Sequence, residues 1–391
     1  MKSAALVATS LKELEAYLLR ERYQGYDPYD ALTSPVFRLP GLRSSKWIRV
    51  TAEQALKRSP YNVRRLLGIK KGYNPVTLAF VLEACAYLAH VDPEQSDTYR
   101  ARALELLEEL ARLRSRGTGA CWGYDFPWES RYGSLAPWTP TIVATGLVSN
   151  ALFVSYRLLG LEDAFALCES AAHFVLEDVP RLPAEDGTFC WAYFRGDHQR
   201  VLNATMKGAR LCAQVYSVTG DESYLQPATQ TATYVARQQR EDGSWPYAVG
   251  DRRKWADNFH TAYVLDAFDA YARCSGDDRF RKTVDKGWRY YRENFFVGDT
   301  IPKYYANEAF PVDATACAQS ILTFCRFGEI AAATSISDWM IRNMQCSDGH
   351  FAYQLRRHRL VRIPYMRWSS AYIYLGLSRL AHALAGEPNA A

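Results

Sequence analysis

Apolar residues in this chain recur at helical rather than strand spacing, and from Tyr73 onward they alternate between two patterns. Segments of the first kind are apolar on nearly every face: Asn74–His90, Thr139–Leu159, Leu202–Thr219, Asn258–Cys274, Pro311–Phe327, and Arg367 to about Ala385. Segments of the second kind carry one apolar stripe: Asp97–Arg114, Glu162–Glu177, Asp221–Gln239, Asp277–Phe296 and Glu329–Met344. In the first of these, Glu105, Glu108, Glu109 and Arg112 mark the wet side. A helix that is apolar all round must be enclosed, whereas a one-stripe helix covers something else. The pattern therefore predicts an all-α fold with six inner helices and about six outer ones. Residues 1–70 can supply the sixth outer member, with helices expected over Leu11–Arg22 and Thr51–Leu67 around a Tyr/Pro/Gly loop, 23–40.

Each inner segment after the first follows a long loop: 117–138, 186–197, 242–255, 297–310 and 348–366. The turns Asp186-Gly187, Asp242-Gly243, Gly298-Asp299 and Asp348-Gly349 lie about 56, 56 and 50 residues apart. Such a period marks a helical array, because one helix pair cannot bury its own faces. Six pairs can close into an α/α toroid. An open solenoid is the alternative, and the lack of polar end-cap repeats favours closure. The expectation is one toroid domain over 1–391, closed by residues 1–70, with its long loops on one face.

In a closed ring those loops all open at one end, so residues far apart in sequence converge. The first loop offers Trp122, Tyr124, Asp125, Trp128 and Arg131. Asn203 follows the second, and the third brings Trp245, Tyr247, Trp255, Asp257, Asn258 and His260. Lys303, Tyr304, Tyr305 and Asp313 come next, and Arg367 and Trp368 complete the set. Aromatic faces suit sugar rings, carboxylates and amides suit hydroxyls, and Arg suits a carboxylate or phosphate. His260 is the sharpest candidate, since an imidazole in a helix's first turn, kept neutral by the helix dipole, can exchange a proton near pH 7. Asp257, Asp313 and Tyr305 are the other candidate catalytic groups, with the remainder as substrate-binding positions. Each has a plainer reading: Asp257, Asn258 and Asp313 are good N-caps, and the tryptophans can plug gaps between helices. His350 and His358 read as solvated, and His198 is a weaker second choice.

Composition narrows the field. The aromatic share is 14%, with 26 Tyr and 10 Trp, enough for stacking surfaces as well as a core. A net charge of +5, from 47 basic and 42 acidic residues, is too small and dispersed for a nucleic-acid partner, though it allows an acidic substrate. Nine cysteines in no CxxC pair read as reduced core thiols, and together with an amphipathic rather than signal-like N-terminus they point to the cytoplasm. No apolar run reaches the roughly 20 residues of a membrane span. There is no HExxH, P-loop, GxSxG elbow or dinucleotide GxGxxG, so chemistry without cofactor or metal is expected.

Two resemblances add to this reading. The run QREDGSW at 239–245 resembles the QW element of terpene cyclases and related α-toroids, a glycine turn with a stacking Trp; the DxDD motif of class II terpene cyclases is absent. The segments CWGYDFPWESR (121–131), TPTIVATG (139–146), WADNFHTAYVL (255–265), PKYY (302–305), FPVDA (310–314) and IPYMRW (363–368) together resemble a helical toroid family associated with polysaccharide biosynthesis, over residues 75–385. This resemblance implies a glycan context and the α/α toroid shared by many sugar epimerases, lyases and hydrolases. Three functions follow as expectations: proton transfer on a sugar or uronate by an epimerase or lyase, glycoside hydrolysis by paired carboxylates drawn from Asp125, Asp257 and Asp313, or glycan binding without catalysis.

Overall fold

The computed structural model describes residues 2–386. Three N-terminal helices, α1 (Lys2–Arg20), α2 (Pro40–Ser44) and α3 (Lys46–Arg58), precede the repeating part. Inner and outer helices then alternate: α4 (Pro75–Val91) with α5 (Ser96–Arg112), α6 (Ile142–Leu159) with α7 (Glu162–Glu177), and α8 (Leu202–Thr219) with α9 (Glu222–Arg237). The series continues with α10 (Asn258–Ser275) and α11 (Arg281–Asn294), then α12 (Ala314–Arg326) and α13 (Ile330–Met344), and ends at α14 (Tyr372–Leu384). Each inner helix packs on the next, and α14 packs back on α4, so the ring is closed and the solenoid alternative falls. The sixth outer position is taken by α1, lying against α13 and α14. The fold is an all-α toroid.

Local chemistry sets where the inner helices begin. Asn74, Thr141, Asp257 and Asp313 each accept a backbone N–H of the first turn of α4, α6, α10 and α12. Helices α6, α8 and α10 end at Gly160, Gly220 and Gly276 in the left-handed conformation that lets the chain turn into its outer partner. Helix α6 is long and apolar enough to span a bilayer, yet 72% of it is buried inside the protein, as its inner position requires. This corrects the sequence expectation that no such segment exists.

Several helix boundaries differ from expectation, the first being α1, which runs Lys2–Arg20 instead of Leu11–Arg22. The second N-terminal helix is Lys46–Arg58 instead of 51–67, because Pro60 forces Ser59 out of helical geometry. Helix α12 starts at Ala314, after Val312 and Asp313 pair with Leu355 and Gln354 in a short rim ladder. The last inner segment opens with a π-helical turn, Met366–Ala371, before α14. Among the described residues the strands are all two or three residues long and lie in the loops.

Between α1 and α4 the chain folds back onto the end of the ring where the inner helices start. Tyr26 bridges Tyr365, and Asp27 accepts two hydrogen bonds from Arg367 at 2.7 and 3.0 Å. Asp30 receives Arg64 at 2.8 Å, and Lys57 reaches the Tyr29 hydroxyl at 2.5 Å. Tyr29 in turn lies edge-on to Trp368, with ring centroids 5.7 Å apart.

Candidate active site

Three of the loops that feed the inner helices repeat one short pattern, Trp-x-Tyr: Trp122-Gly-Tyr124, Trp191-Ala-Tyr193 and Trp245-Pro-Tyr247. The tryptophans are fully buried between inner and outer helices. Trp122 donates its indole N–H to the Leu110 carbonyl of α5 at 2.8 Å, and Trp245 donates to Val235 of α9 at 3.0 Å. Their neighbour turn depends on Gly243, whose φ of +96° and close approach to the Lys286 carbonyl exclude a side chain. Trp122 and Trp245 were expected to line the cleft; they are pegs that fix the loop on the outer layer. The tyrosines two residues on alternate to the opposite side. Tyr124, Tyr193 and Tyr247 are half-buried, and Tyr124 and Tyr193 share a hydrogen bond. Burial raises the pKa of all three phenols, so they are neutral donors rather than bases.

His260 stands beside this aromatic set. Asp257 caps α10 with Oδ1, accepting the His260 backbone N–H at 3.0 Å, and its Oδ2 receives the His260 ring Nδ1 at 2.7 Å. One carboxylate thus holds both the helix start and the imidazole. Because a carboxylate only accepts, it selects the Nδ1–H tautomer and leaves the Nε2 lone pair free. The Asp257 side chain is 1% exposed and that of His260 24% exposed, so the orienting group is dry while the imidazole is reachable. Tyr247 meets the imidazole edge-on at 4.7 Å and stacks on Trp255 at 5.4 Å. Asn203 lines the same small hollow, with its Nδ2 unpartnered.

The other expected residues divide. Phe259 meets both Tyr304 and Trp368, at 5.6 and 6.0 Å, so these rings share the mouth with His260. Tyr305 pairs through its backbone with Asp257 and packs on Tyr304 at 4.7 Å. Lys303, its pKa lowered by burial, gives its Nζ to the Ala306 carbonyl at 2.6 Å and braces the loop. Asp313 is a correction. It is fully buried and accepts Thr315 N–H at 2.9 Å, Gln354 Nε2 at 2.8 Å and Trp368 Nε1 at 3.2 Å. With its oxygens so engaged it caps α12 and seats Trp368, and it has no free oxygen edge for catalysis. Asn258 is likewise enclosed, bonded to Tyr291 and Ser320, and so is structural. Arg367 is buried and neutralised by Asp27, with Tyr124 and Trp368 on its faces, instead of standing open to a substrate anion. Asp125 accepts Tyr73 N–H and Asn74 Nδ2, both at 2.8 Å, and so ties down the start of α4. Trp128 lies in a hairpin with its partner Leu135, and Arg131 is exposed at that hairpin's tip, apart from the aromatic set.

Sequence reasoning missed a second layer below the mouth. The inner helices carry polar residues at the helical period on their axial faces: Lys207 and Arg210 on α8, Tyr263 and Asp266 on α10, Glu83 on α4 and Gln319 on α12. They surround an axial cavity of about 50 Å³, room for a few water-sized groups. The signal was legible as His260-x-x-Tyr263-x-x-Asp266, one stripe running from the mouth down α10, and as Lys207 and Arg210 three apart in an apolar helix. Asp266 accepts Gln319 at 2.7 Å, and Glu83 accepts Asn150 at 3.0 Å.

No sequence family and no curated protein matches the chain. Among solved structures, cellobiose 2-epimerase from Bacillus thermoamylovorans B4167 superposes with a TM-score of 0.61 at 11% identity, over 80% of this chain and 88% of that one. A glycoside hydrolase family 76 mannosidase from Bacteroides thetaiotaomicron gives 0.60 at 10% identity, over 98% of both chains. An unsaturated glucuronyl hydrolase specific for heparin gives 0.58 at 12% identity, over 81% and 89%. At these identities the likeness is one of fold: the chain has the α/α-toroid architecture found in carbohydrate-active enzymes.

Proposed function

We propose that this protein is an enzyme of polysaccharide metabolism that moves a proton on a saccharide without a bound cofactor, as an epimerase or a lyase does. The observation that carries the reading is the Asp257–His260 pair. A buried carboxylate 2.7 Å from Nδ1 orients a half-buried imidazole whose Nε2 is unclaimed, at an end of the ring lined with tyrosines. Such a pair can take a proton from carbon and return it, with Asp257 stabilising the imidazolium between the two events. Tyr247 and Tyr304 offer ring faces, and their neutral hydroxyls suit sugar hydroxyls. The fold likeness to a cellobiose 2-epimerase, a sugar epimerase and a D-mannose isomerase is in keeping with this chemistry. The hydrolase reading draws on Asp125, Asp257 and Asp313, and each of those carboxylates is already engaged by protein donors.

The test is solvent exchange. Incubated in D₂O with a panel of uronate-containing and neutral oligosaccharides, the protein should place deuterium on a sugar carbon of one of them, read by mass spectrometry. His260→Gln keeps a hydrogen-bonding side chain but cannot cycle a proton, so exchange should fall by about 10²–10⁴-fold. Glycan cleavage by water with no carbon-bound deuterium, or exchange unaffected by His260→Gln, would defeat the reading.

A further inference from the structure

The chain's small net charge is unevenly held. Residues 31–71 carry ten Lys and Arg against one acid, Glu53, so this segment alone exceeds the +5 of the whole chain, and the excess is concentrated there instead of dispersed as expected. Partners account for part of it: Arg49 pairs with Glu129, Arg64 with Asp30 and Lys71 with Glu21, and Lys57 reaches the Tyr29 hydroxyl. Arg38, Arg43, Lys46, Arg58, Arg65 and Lys70 are left, all exposed and none in an ion pair among the described residues. The same segment holds exposed apolar side chains. Leu66 is 87% exposed, Trp47 65% and Leu39 58%, with Val36 and Ile48 also open to solvent. Scattered single apolar residues on a surface are ordinary, whereas several gathered in one place mark a surface with a partner.

Short contacts gather these residues. The Ser34 hydroxyl donates to the Leu67 carbonyl at 2.6 Å, and a Cβ on Gly68 would lie 3.2 Å from Pro35 Cδ, so the turn at 66–68 rests against the stretch that carries Val36. That stretch, a 3-10 turn over Pro35–Arg38, packs on α2, and α2 packs on α3. Arg49 of α3 donates to the Arg43 carbonyl of α2 at 3.0 Å. Along α3, Trp47, Thr51, Ala55 and Arg58 are exposed at helical spacing while Val50, Glu53 and Leu56 are buried, so Trp47 and Arg58 share the outward face. Beyond Arg58 the hairpin of Gln354–Arg356 and Arg359–Val361 continues the cationic surface: Arg356 donates to the Arg58 carbonyl at 3.1 Å, and the Arg359 guanidinium lies 4.3 Å over the Tyr61 ring. The segment is the one folded over the end of the ring where the inner helices start.

We propose that residues 31–71 form a membrane-docking surface, which seats this end of the toroid on a bilayer carrying anionic lipids. Two kinds of side chain have to be matched at once. The unpaired Lys and Arg suit phosphate and carboxylate headgroups, each contributing about a fivefold gain in partitioning. Leu66, Leu39, Val36 and Ile48 suit the hydrocarbon just beneath, and Trp47 the boundary between the two. A soluble acidic glycan or a nucleic acid would use the cations and the indole and leave the four aliphatic chains in water, so a lipid surface fits the set better. The assignment is independent of the chemistry at His260.

Vesicle sedimentation with the full chain tests it, comparing phosphatidylcholine vesicles with vesicles that hold about 30 mol% phosphatidylserine. Wild-type protein should partition to the anionic vesicles at least about tenfold more strongly, and added salt should reduce the difference. Combined Arg38→Glu, Arg43→Glu and Arg65→Glu should abolish that preference. Combined Trp47→Ser and Leu66→Ser should lower binding to the anionic vesicles at least about fivefold at an unchanged melting temperature, because both side chains already stand in water. His260→Gln should bind as the wild type does. Equal binding to the two vesicle types, vesicle binding unaltered by the two Ser substitutions, capture of soluble polygalacturonate in preference to anionic vesicles, or, in place of vesicle binding, a dimer in gel filtration that the Ser substitutions dissociate would each overturn the proposal.

Discussion

Single residues decided which expectations stood. Asp257 and Asp313 look alike in sequence, each an acid at the start of an inner helix, and both are N-caps. Their second oxygens separate them: one meets an imidazole, the other a glutamine amide from a loop 41 residues away. That difference is long-range, so no local pattern encodes it. Glu53 is a second such case. It is fully buried, accepts the Glu129 N–H at 3.1 Å, and faces the Glu129 carboxylate; neither Glu53 Oε2 nor Glu129 Oε1 has a partner. Burial chiefly, with Glu129 adding, raises its pKa from 4.5 to about 9. The folded state then holds a proton that the unfolded chain releases above pH 4.5. This contribution to stability is complete below pH 4.5 and is lost as pH rises toward 9. Glu53→Gln, uncharged at every pH, should therefore stabilise the protein at pH 7, by up to about 3 kcal/mol. Urea unfolding at pH 5 and pH 8 measures it; the variant should show a smaller loss between the two, and parallel behaviour would refute a protonated Glu53.

At the level of elements, the alternation of all-round and one-stripe helices carried nearly the whole architecture, because burial dictates it directly. The loops were harder to read. In DGSWPY, the glycine turn was correctly a turn, but the Trp faces the helices and the Tyr faces the mouth, and residue type does not say which side an aromatic takes. Two of the three Trp-x-Tyr copies do: the indole N–H of Trp122 and of Trp245 finds an outer-helix carbonyl, whereas the buried Trp191 N–H has no partner among the described residues. Trp245→Phe should accordingly cost about 1–3 kcal/mol, from the lost hydrogen bond and unfilled volume, while leaving deuterium exchange nearly unchanged. Unaltered stability with lost exchange, in denaturant titrations run beside the exchange assay, would return Trp245 to the substrate site. The axial stripes were missed for the opposite reason. Lys207, Arg210 and Asp266 sit in segments read as core, where isolated polar residues vanish against an apolar background, although their helical spacing places them on one face.

For the whole molecule, closure of the ring brings five sequence-distant loops to one end, and the candidate site lies there. Closure followed from counting helix pairs. The path of the N-terminal segment did not, since Asp27 meets Arg367 across 340 residues of sequence. This contact engages the arginine expected to receive an acidic substrate. The central claim is the proposed one, that a saccharide enters this end of the toroid with a ring carbon against His260. A crystal structure with a soaked uronate oligosaccharide tests it most directly. The account expects a sugar ring against Tyr247 or Tyr304 and one ring carbon within about 3.5 Å of His260 Nε2. A sugar bound on the outer helices, or at the mouth with no carbon near His260, would contradict it.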